Sequence, residues 1–191
     1  MAKNTSAISG LKILLGVSGG VAVYKAVDLA SKLTGAGAFV DVVMTEAACK
    51  FVLPKSFEAV TGRPVFTSMW ENPTGFEIGH ISLADACDVV VIAPATANII
   101  GKIANGICDD LLTTTLCACW QKKILFAPAM NEKMWLNPAV QWNVKTLGEM
   151  GFELIGPEKG RLACGTEGLG RMAEPINILE RIEKTVKKFK S

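Results

Sequence analysis

Histidine and tyrosine each occur only once in the 191-residue chain, and the six cysteines include no C-x-x-C pair. A zinc site built from the usual cysteine and histidine ligands is therefore not expected, and we predict no bound metal. Acidic and basic side chains nearly balance, 18 against 20, so no charge excess favours a nucleic-acid or membrane partner. No apolar run reaches the roughly 18–20 residues of a membrane span, and the N-terminus lacks the layout of a secretion signal. We expect a cytoplasmic protein.

Five of the six cysteines are expected to be reduced and buried as small hydrophobic side chains. They are Cys49, Cys87, Cys108, Cys117 and Cys119. Cys164 differs, because it lies in the stretch GRLACGTEGLGR at 160–171, which has four glycines in twelve residues. Glycine loses much backbone freedom on folding, so we expect a flexible loop there.

Short apolar runs alternate with helical patterns along the chain. The runs predicted as strands are 12–17, 39–44, 88–93, 123–127 and 152–155, with a weaker one near Val65. The patterns predicted as helices are 21–34, 46–51, 55–61, 97–105, 110–120, 138–150 and 176–189. Several strands are apolar throughout, as in parallel strands covered on both faces. The sequence therefore predicts a single α/β domain over 1–191, a doubly wound, Rossmann or flavodoxin-like parallel sheet with helices on both faces.

Small, proline and amide residues follow the carboxyl ends of four predicted strands, where sheets of this type bind ligands. They form the segments GVSGG at 16–20, APATAN at 93–98 and APAMN at 127–131, and the glycine-rich stretch 160–171 that follows the strand 152–155. Glycines in the first segment would let backbone N–H groups approach a phosphate, although a tight structural turn is an equal interpretation. Thr96 is expected to cap a helix or to meet the same phosphate, and Thr45 could donate a hydroxyl to the ligand.

Two polar residues have alternative interpretations. His80 is the one obvious general base for neutral pH, but a lone histidine is more often a structural residue. Asn131 could cap the helix that follows it, or its amide could bind a carboxylate or carbonyl. The residues alone leave both choices open.

Two long segments resemble motifs of the homo-oligomeric flavin-containing cysteine decarboxylases. PAMNEKMW at 128–135 is similar to their P-x-M-N-x-x-M-W motif, and GRLACGTEGLGRM at 160–172 resembles their substrate clamp. GVSGGVAVYK, GHISLA and APATANIIGKIANGICDDLLTTT also match, in the same order, and the resemblance covers about 11–175. Within the family, the bacterial and archaeal members that act on 4′-phosphopantothenoylcysteine are the most similar.

The resemblance implies a cofactor and a set of site residues. The cofactor would be FMN, held by Ser18, Gly19, Gly20, Val21, Thr45, Thr96, Ala97, Asn98 and Ala129. Asn131 would bind the substrate carboxylate, His80 would act as base or orienting group, and Cys164 would donate a proton. The substrate would also touch the backbone of Arg161, Leu162 and Ala163.

The implied activity is conversion of 4′-phosphopantothenoylcysteine to 4′-phosphopantetheine in coenzyme A biosynthesis. It would pass through transient oxidation to a thioaldehyde, loss of CO₂ and reduction of the resulting ene-thiolate. The alternatives are an oxidative decarboxylase of a peptide C-terminal cysteine, a flavin prenyltransferase and a non-catalytic flavoprotein subunit. The resemblance to the family implies a homotrimer. The segment GGVAVYK fits the segment found in those bacterial members whose trimers assemble into dodecamers. In many bacteria and archaea such a domain is the first half of a longer chain that ends in a ligase.

Overall fold

A parallel sheet of six strands forms the centre of the protein. The computed structural model describes residues 6–70, 79–161, 163 and 165–190. The strands of the sheet are β1 (Lys12–Val17), β2 (Phe39–Met44), β3 (Val65–Phe66), β4 (Val89–Ala95), β5 (Lys123–Pro128) and β6 (Glu153–Leu154). They lie in the order β3-β2-β1-β4-β5-β6. The order reverses between the parallel neighbours β1 and β4, and sheets of this topology bind ligands outside the strand ends at such a point.

Helices cover both faces of this sheet. Those described are α1 (Val23–Gly35), α2 (Glu46–Cys49), α3 (Pro54–Thr61), α4 (Gly79–Ala86), α5 (Ala97–Ala104), α6 (Leu111–Ala118), α7 (Glu132–Trp135), α8 (Pro138–Glu149) and α9 (Pro175–Lys190). Alternate strand residues point to opposite faces, so Ile13 and Leu15 join one core while Leu14 joins the other. Helices α1, α2, α3 and α9 contribute to the first core, and α4, α5, α6 and α8 to the second. The predicted doubly wound α/β fold is confirmed.

The central strands form where the sequence predicted them because their apolar runs are buried on both faces. Every residue of β4 is buried, as are all residues of β1 after Lys12. The predicted strand 88–93 begins one residue later and continues to Ala95. In the part of the chain that the structure describes, no helix is both long and apolar enough to cross a membrane.

The glycine-rich stretch 160–171 differs from the expected flexible loop. Much of it belongs to an antiparallel hairpin of two strands, β7 (Glu158–Arg161) and β8 (Glu167–Arg171). The hairpin forms a second, separate sheet. Helix α4 was not predicted, and α7 is the helix that follows Asn131, for which no range was predicted.

Candidate functional site

The segments that follow β1, β2, β4 and β5 meet at the carboxyl edge of the sheet. Backbone hydrogen bonds join them: Thr45 N donates to Val17 O over 3.0 Å, and Ala129 N donates to Ala95 O over 3.0 Å. Each bond links the end of one strand to the residue that follows a neighbouring strand. The predicted site residues in these segments therefore lie along one edge, as the parallel topology requires.

Ser18 joins the turn after β1 to the start of α5. Its side chain is buried, and its Oγ donates to Pro94 O over 2.7 Å while accepting from Thr96 N over 3.1 Å. The Thr96 hydroxyl lies 3.0 Å from the same oxygen. Ser18 thus holds together two of the loops that were predicted to bind the cofactor. Its predicted contact with the cofactor stays a prediction.

The N-termini of α1 and α5 offer unpaired backbone donors. Neither helix has a side-chain cap, whereas α2, α6, α7 and α8 each have one. Among the described residues, the N–H groups of Gly19, Gly20, Val21, Ala97 and Asn98 have no hydrogen-bond acceptor. Such N–H groups, together with the positive end of the helix dipole, favour an anion. The donor set at this edge therefore fits a phosphate group.

The two helix starts are packed closely because the turn after β1 contains glycine. A Cβ atom on Gly20 would lie 3.3 Å from the Thr96 methyl group, and one on Gly19 would overlap Ala47 at the start of α2. A larger residue at either position would push the donors apart. Thr45 caps α2 by accepting from Ala48 N over 3.2 Å, so its hydroxyl proton can still be donated.

The β7–β8 hairpin is seated on the loop after β5. Met130 N donates to Gly170 O over 2.9 Å, and Leu169 N donates to Glu132 Oε1 over 2.8 Å. These bonds bring two segments that resemble family motifs, 128–135 and 160–172, into direct contact.

Asn131 lies between the two residues that hold the hairpin. It caps α7, with its side-chain oxygen accepting from Lys133 N over 2.9 Å. The capping interpretation of Asn131 is therefore confirmed, and its predicted substrate role stays a prediction. A cap of this kind uses the side-chain oxygen, whereas a carboxylate would be bound through the amide N–H₂.

His80 lies in the first turn of α4, partly buried. Leu83 and Ala84 hold α4 in the second core, and the helix packs against α6. In the described residues no hydrogen bond joins His80 to Asn131 or to any other predicted site residue. Its catalytic assignment depends on the resemblance alone.

The other clamp residues are only partly within the described structure. Arg161 ends β7 and is exposed, and Ala163 is also exposed. Leu162 and Cys164 lie outside the described residues. Their predicted substrate and proton-donor roles remain predictions.

Lys25 is a site-forming residue that the sequence interpretation missed. Although charged, it is buried, and its Nζ lies 3.0 Å from both Met172 O and a Glu174 carboxylate oxygen. It therefore ties α1 to the segment that follows β8. The sequence signal for the burial of Lys25 is its spacing. Lys25 stands four residues before Leu29 and eight before Leu33, on the apolar stripe of the helix.

The cysteines only partly follow the expected burial. Cys108 and Cys117 are exposed, so that prediction was wrong for them, and Cys49 is partly buried. Cys87 and Cys119 are buried with their sulfur atoms 3.9 Å apart. The hydrogen bond with Cys87 and burial raise the pKa of the Cys119 thiol, which therefore stays protonated at neutral pH.

Comparison with known proteins shows what this chain is similar to. The sequence profile of the flavoprotein family matches residues 1–187. The chain is 49% identical over 177 residues to the coenzyme A biosynthesis bifunctional protein CoaBC of Bacillus subtilis (strain 168), covering 93% of this chain and 43% of that protein. The chain thus spans less than half the length of this relative.

Two solved structures share both the fold and much of the sequence. A PPC decarboxylase mutant complexed with pantothenoylaminoethenethiol has a TM-score of 0.78 and 38% identity, over 94% of this chain and 98% of that chain. The FMN binding protein AtHal3 has a TM-score of 0.80 and 37% identity, over 93% and 97% of the two chains.

Proposed function

Because this chain belongs to the flavoprotein family, we propose that it binds FMN and decarboxylates 4′-phosphopantothenoylcysteine to 4′-phosphopantetheine, a step of coenzyme A biosynthesis. The enzyme would be a carbon-carbon lyase of the carboxy-lyase class. The likeness to CoaBC and to a PPC decarboxylase supports the substrate. The observation that carries the proposal is the seating of the β7–β8 hairpin on the loop that holds Asn131, since both elements carry motifs of this reaction.

The phosphate of FMN would be held by the donors at the starts of α1 and α5. Their lack of acceptors among the described residues, and their position at the reversal of strand order, support this assignment. Bound FMN supplies a reversible two-electron acceptor, which lets the thiol-bearing carbon of the substrate be oxidised so that CO₂ can leave. The phosphate donors would be Gly19, Gly20, Val21, Ala97 and Asn98, and the other contacts Ser18, Thr45, Thr96 and Ala129.

The remaining residues would act on the substrate. The Asn131 amide would bind the carboxylate that leaves as CO₂, and His80 would serve as base or orienting group at the thiol-bearing carbon. Cys164 would deliver the proton that completes the reduced product. Its presence together with the clamp motif favours the full cycle over oxidative decarboxylation alone. Backbone contacts with the substrate would come from Arg161, Leu162 and Ala163.

We further propose a single cytoplasmic domain over 1–191 that assembles as a homotrimer, with a dodecamer assembled from such trimers as the larger form. Large apolar side chains left exposed on the single chain support an assembly, because association would remove their apolar surface from water. Trp142 is 69% exposed, Trp120 65% and Leu136 61%.

The first test is the absorption spectrum of the purified protein, followed by a turnover assay. We expect flavin bands, release of FMN on denaturation, and equal amounts of CO₂ and 4′-phosphopantetheine from 4′-phosphopantothenoylcysteine. An oxidised ene-thiol as the final product would favour the oxidative alternative. Bound FMN without turnover of either substrate type would favour the non-catalytic subunit. A protein that takes up no FMN would contradict the proposal.

Two helix-capping asparagines provide a matched test of the substrate site. Asn131 caps α7 and Asn137 caps α8, each by accepting a backbone N–H over 2.9 Å. Serine also caps helices well but lacks the amide N–H₂. We expect Asn131→Ser to lower kcat/KM by roughly 10- to 100-fold, the effect of losing a hydrogen bond to a charged group. Asn137→Ser should change it little, and equal effects of the two variants would remove the assigned role.

A further inference from the structure

The Glu132 carboxylate contacts the backbone of β8 directly. Its Oε1 accepts from Leu169 N over 2.8 Å. A Cβ atom on Gly168 would lie 2.6 Å from both the carboxyl carbon and Oε2 of Glu132. The carboxylate thus occupies the space that a side chain at position 168 would need. In the described residues no lysine, arginine or histidine forms an ion pair with Glu132, so its specific partner is the hairpin backbone.

Gly170 makes a second close contact, two residues further along β8. Met130 N donates to Gly170 O over 2.9 Å, and a Cβ atom on Gly170 would overlap Met130 O. Over residues 168–170, the backbone of β8 therefore contacts either the backbone of Met130 or the carboxylate of Glu132, without intervening side chains. The facing residues are Met130 and Glu132, on either side of Asn131.

We propose that Glu132 is a positioning residue, which fixes the β7–β8 hairpin against the loop that carries Asn131. The proposal rests on the function proposed above, in which Asn131 binds the substrate carboxylate and the hairpin contributes substrate contacts. Glu132 contacts neither substrate nor cofactor in this assignment. It acts by accepting the Leu169 N–H and by filling the gap opposite Gly168.

The acceptor, rather than the negative charge, is the feature that this geometry requires. Glutamine keeps an oxygen that can accept the Leu169 N–H and has nearly the same shape, whereas alanine leaves that N–H unpaired and the gap open. Glu149 offers a matched control, because it is exposed at the end of α8 and pairs only at the surface with Lys145, 3.6 Å away. The informative set is therefore Glu132→Ala, Glu132→Gln and Glu149→Ala.

Amide hydrogen exchange of the full chain with FMN added gives a readout that does not depend on turnover. We expect Glu132→Ala to speed exchange over 167–171 at least about tenfold, since a hydrogen bond to a charged group is lost. Exchange in β1 and β4 should not change. Exchange over 167–171 in Glu132→Gln should stay much closer to that of the wild type, and exchange in Glu149→Ala should equal that of the wild type. With 4′-phosphopantothenoylcysteine, KM should rise in Glu132→Ala and recover in Glu132→Gln.

Three results would overturn the positioning role. One is unchanged exchange over 167–171 in Glu132→Ala, and another is equally fast exchange in the glutamine and alanine variants. The third is faster exchange throughout β1 and β4, which would make Glu132 a general stabiliser of the fold. Failure of the proposed function looks different: the wild type would bind no FMN or release no CO₂, while the exchange contrast between the variants would persist.

Discussion

Gly170→Ala should loosen the hairpin more than any other single methyl addition to it. Gly170 has φ of +154°, a region that favours glycine, and a Cβ atom there would overlap the Met130 carbonyl oxygen and lie 3.2 Å from its carbon. Neither backbone atom can rotate aside, so β8 must withdraw and the Met130–Gly170 hydrogen bond must lengthen. Overpacking costs about 1–3 kcal/mol and the hydrogen bond about 0.5–1.5 kcal/mol. We expect about 2–4 kcal/mol of local destabilisation.

Two other glycines of the hairpin supply a graded control. A Cβ atom on Gly168 meets the flexible Glu132 side chain, which can swing away at the loss of one hydrogen bond, so Gly168→Ala should cost about 1–2 kcal/mol. A Cβ atom on Gly160 would lie 3.2 Å from Cδ and Nη1 of the long Arg171 side chain, which has only to shift slightly, so Gly160→Ala should stay within about 0.5 kcal/mol of the wild type.

Amide exchange over 167–171 and the KM for substrate would measure this series. The expected order of loosening is Gly170→Ala, then Gly168→Ala, then Gly160→Ala, with thermal unfolding of the sheet nearly unchanged. If Gly170→Ala matches the wild type, or if all three variants respond alike, backbone contact with the loop after β5 does not hold the hairpin.

Two further changes test the connections beneath the site. Ser18→Ala removes a buried hydroxyl that donates to Pro94 O and accepts from Thr96 N, and we expect a loss of about 1–3 kcal/mol in urea unfolding with weaker FMN binding in a titration. Lys25→Met breaks the buried contact with Glu174, and we expect a loss of about 1–3 kcal/mol at pH 7, because Glu174 is partly exposed and can be rehydrated. The hydrogen bond from Lys25 lowers the pKa of Glu174 below its ordinary 4.5. This stabilisation is therefore complete above about pH 4.5 and is lost as the pH falls through the lowered pKa. The difference between the two proteins in urea unfolding should therefore shrink from pH 7 to pH 3, apart from the share due to the Lys25 contact with Met172 O. A constant difference from pH 7 to pH 3 would contradict the linkage.

The sheet could be predicted from the sequence because burial and local pattern agree there. The runs 12–17 and 39–44 gave β1 and β2 end to end, since apolar residues continue up to a polar or glycine-rich boundary. The hairpin could not be predicted in this way. β8 has the sequence EGLGR, without a β-branched residue, and alternating glycines ordinarily weaken a strand. Contacts with the loop after β5 form this strand in place of intrinsic propensity.

The position of the candidate site at one edge of the sheet also followed from the sequence, through the rule that ligands lie at the carboxyl ends of parallel strands. The roles of individual site residues did not follow from this rule. The capping function of Asn131 was one of two open interpretations, and the roles of His80 and Cys164 came only from the resemblance. Glu132 carries no local signal, because its partner, Leu169, lies 37 residues further along the chain. Such pairs become visible only when the fold brings them together.

Helix α1 links the two halves of the candidate site. The turn before it supplies the unpaired N–H groups of 19–21, and Lys25 in its first turn holds the segment after β8. A two-stranded hairpin is at best marginally stable by itself, so its position depends on such anchors. On the other side, the anchor is the loop with Met130 and Glu132. A change at the start of α1 should therefore alter both the proposed phosphate donors and the seating of the hairpin. This shared support would keep the proposed cofactor and substrate groups in a fixed relative position although they come from segments more than a hundred residues apart.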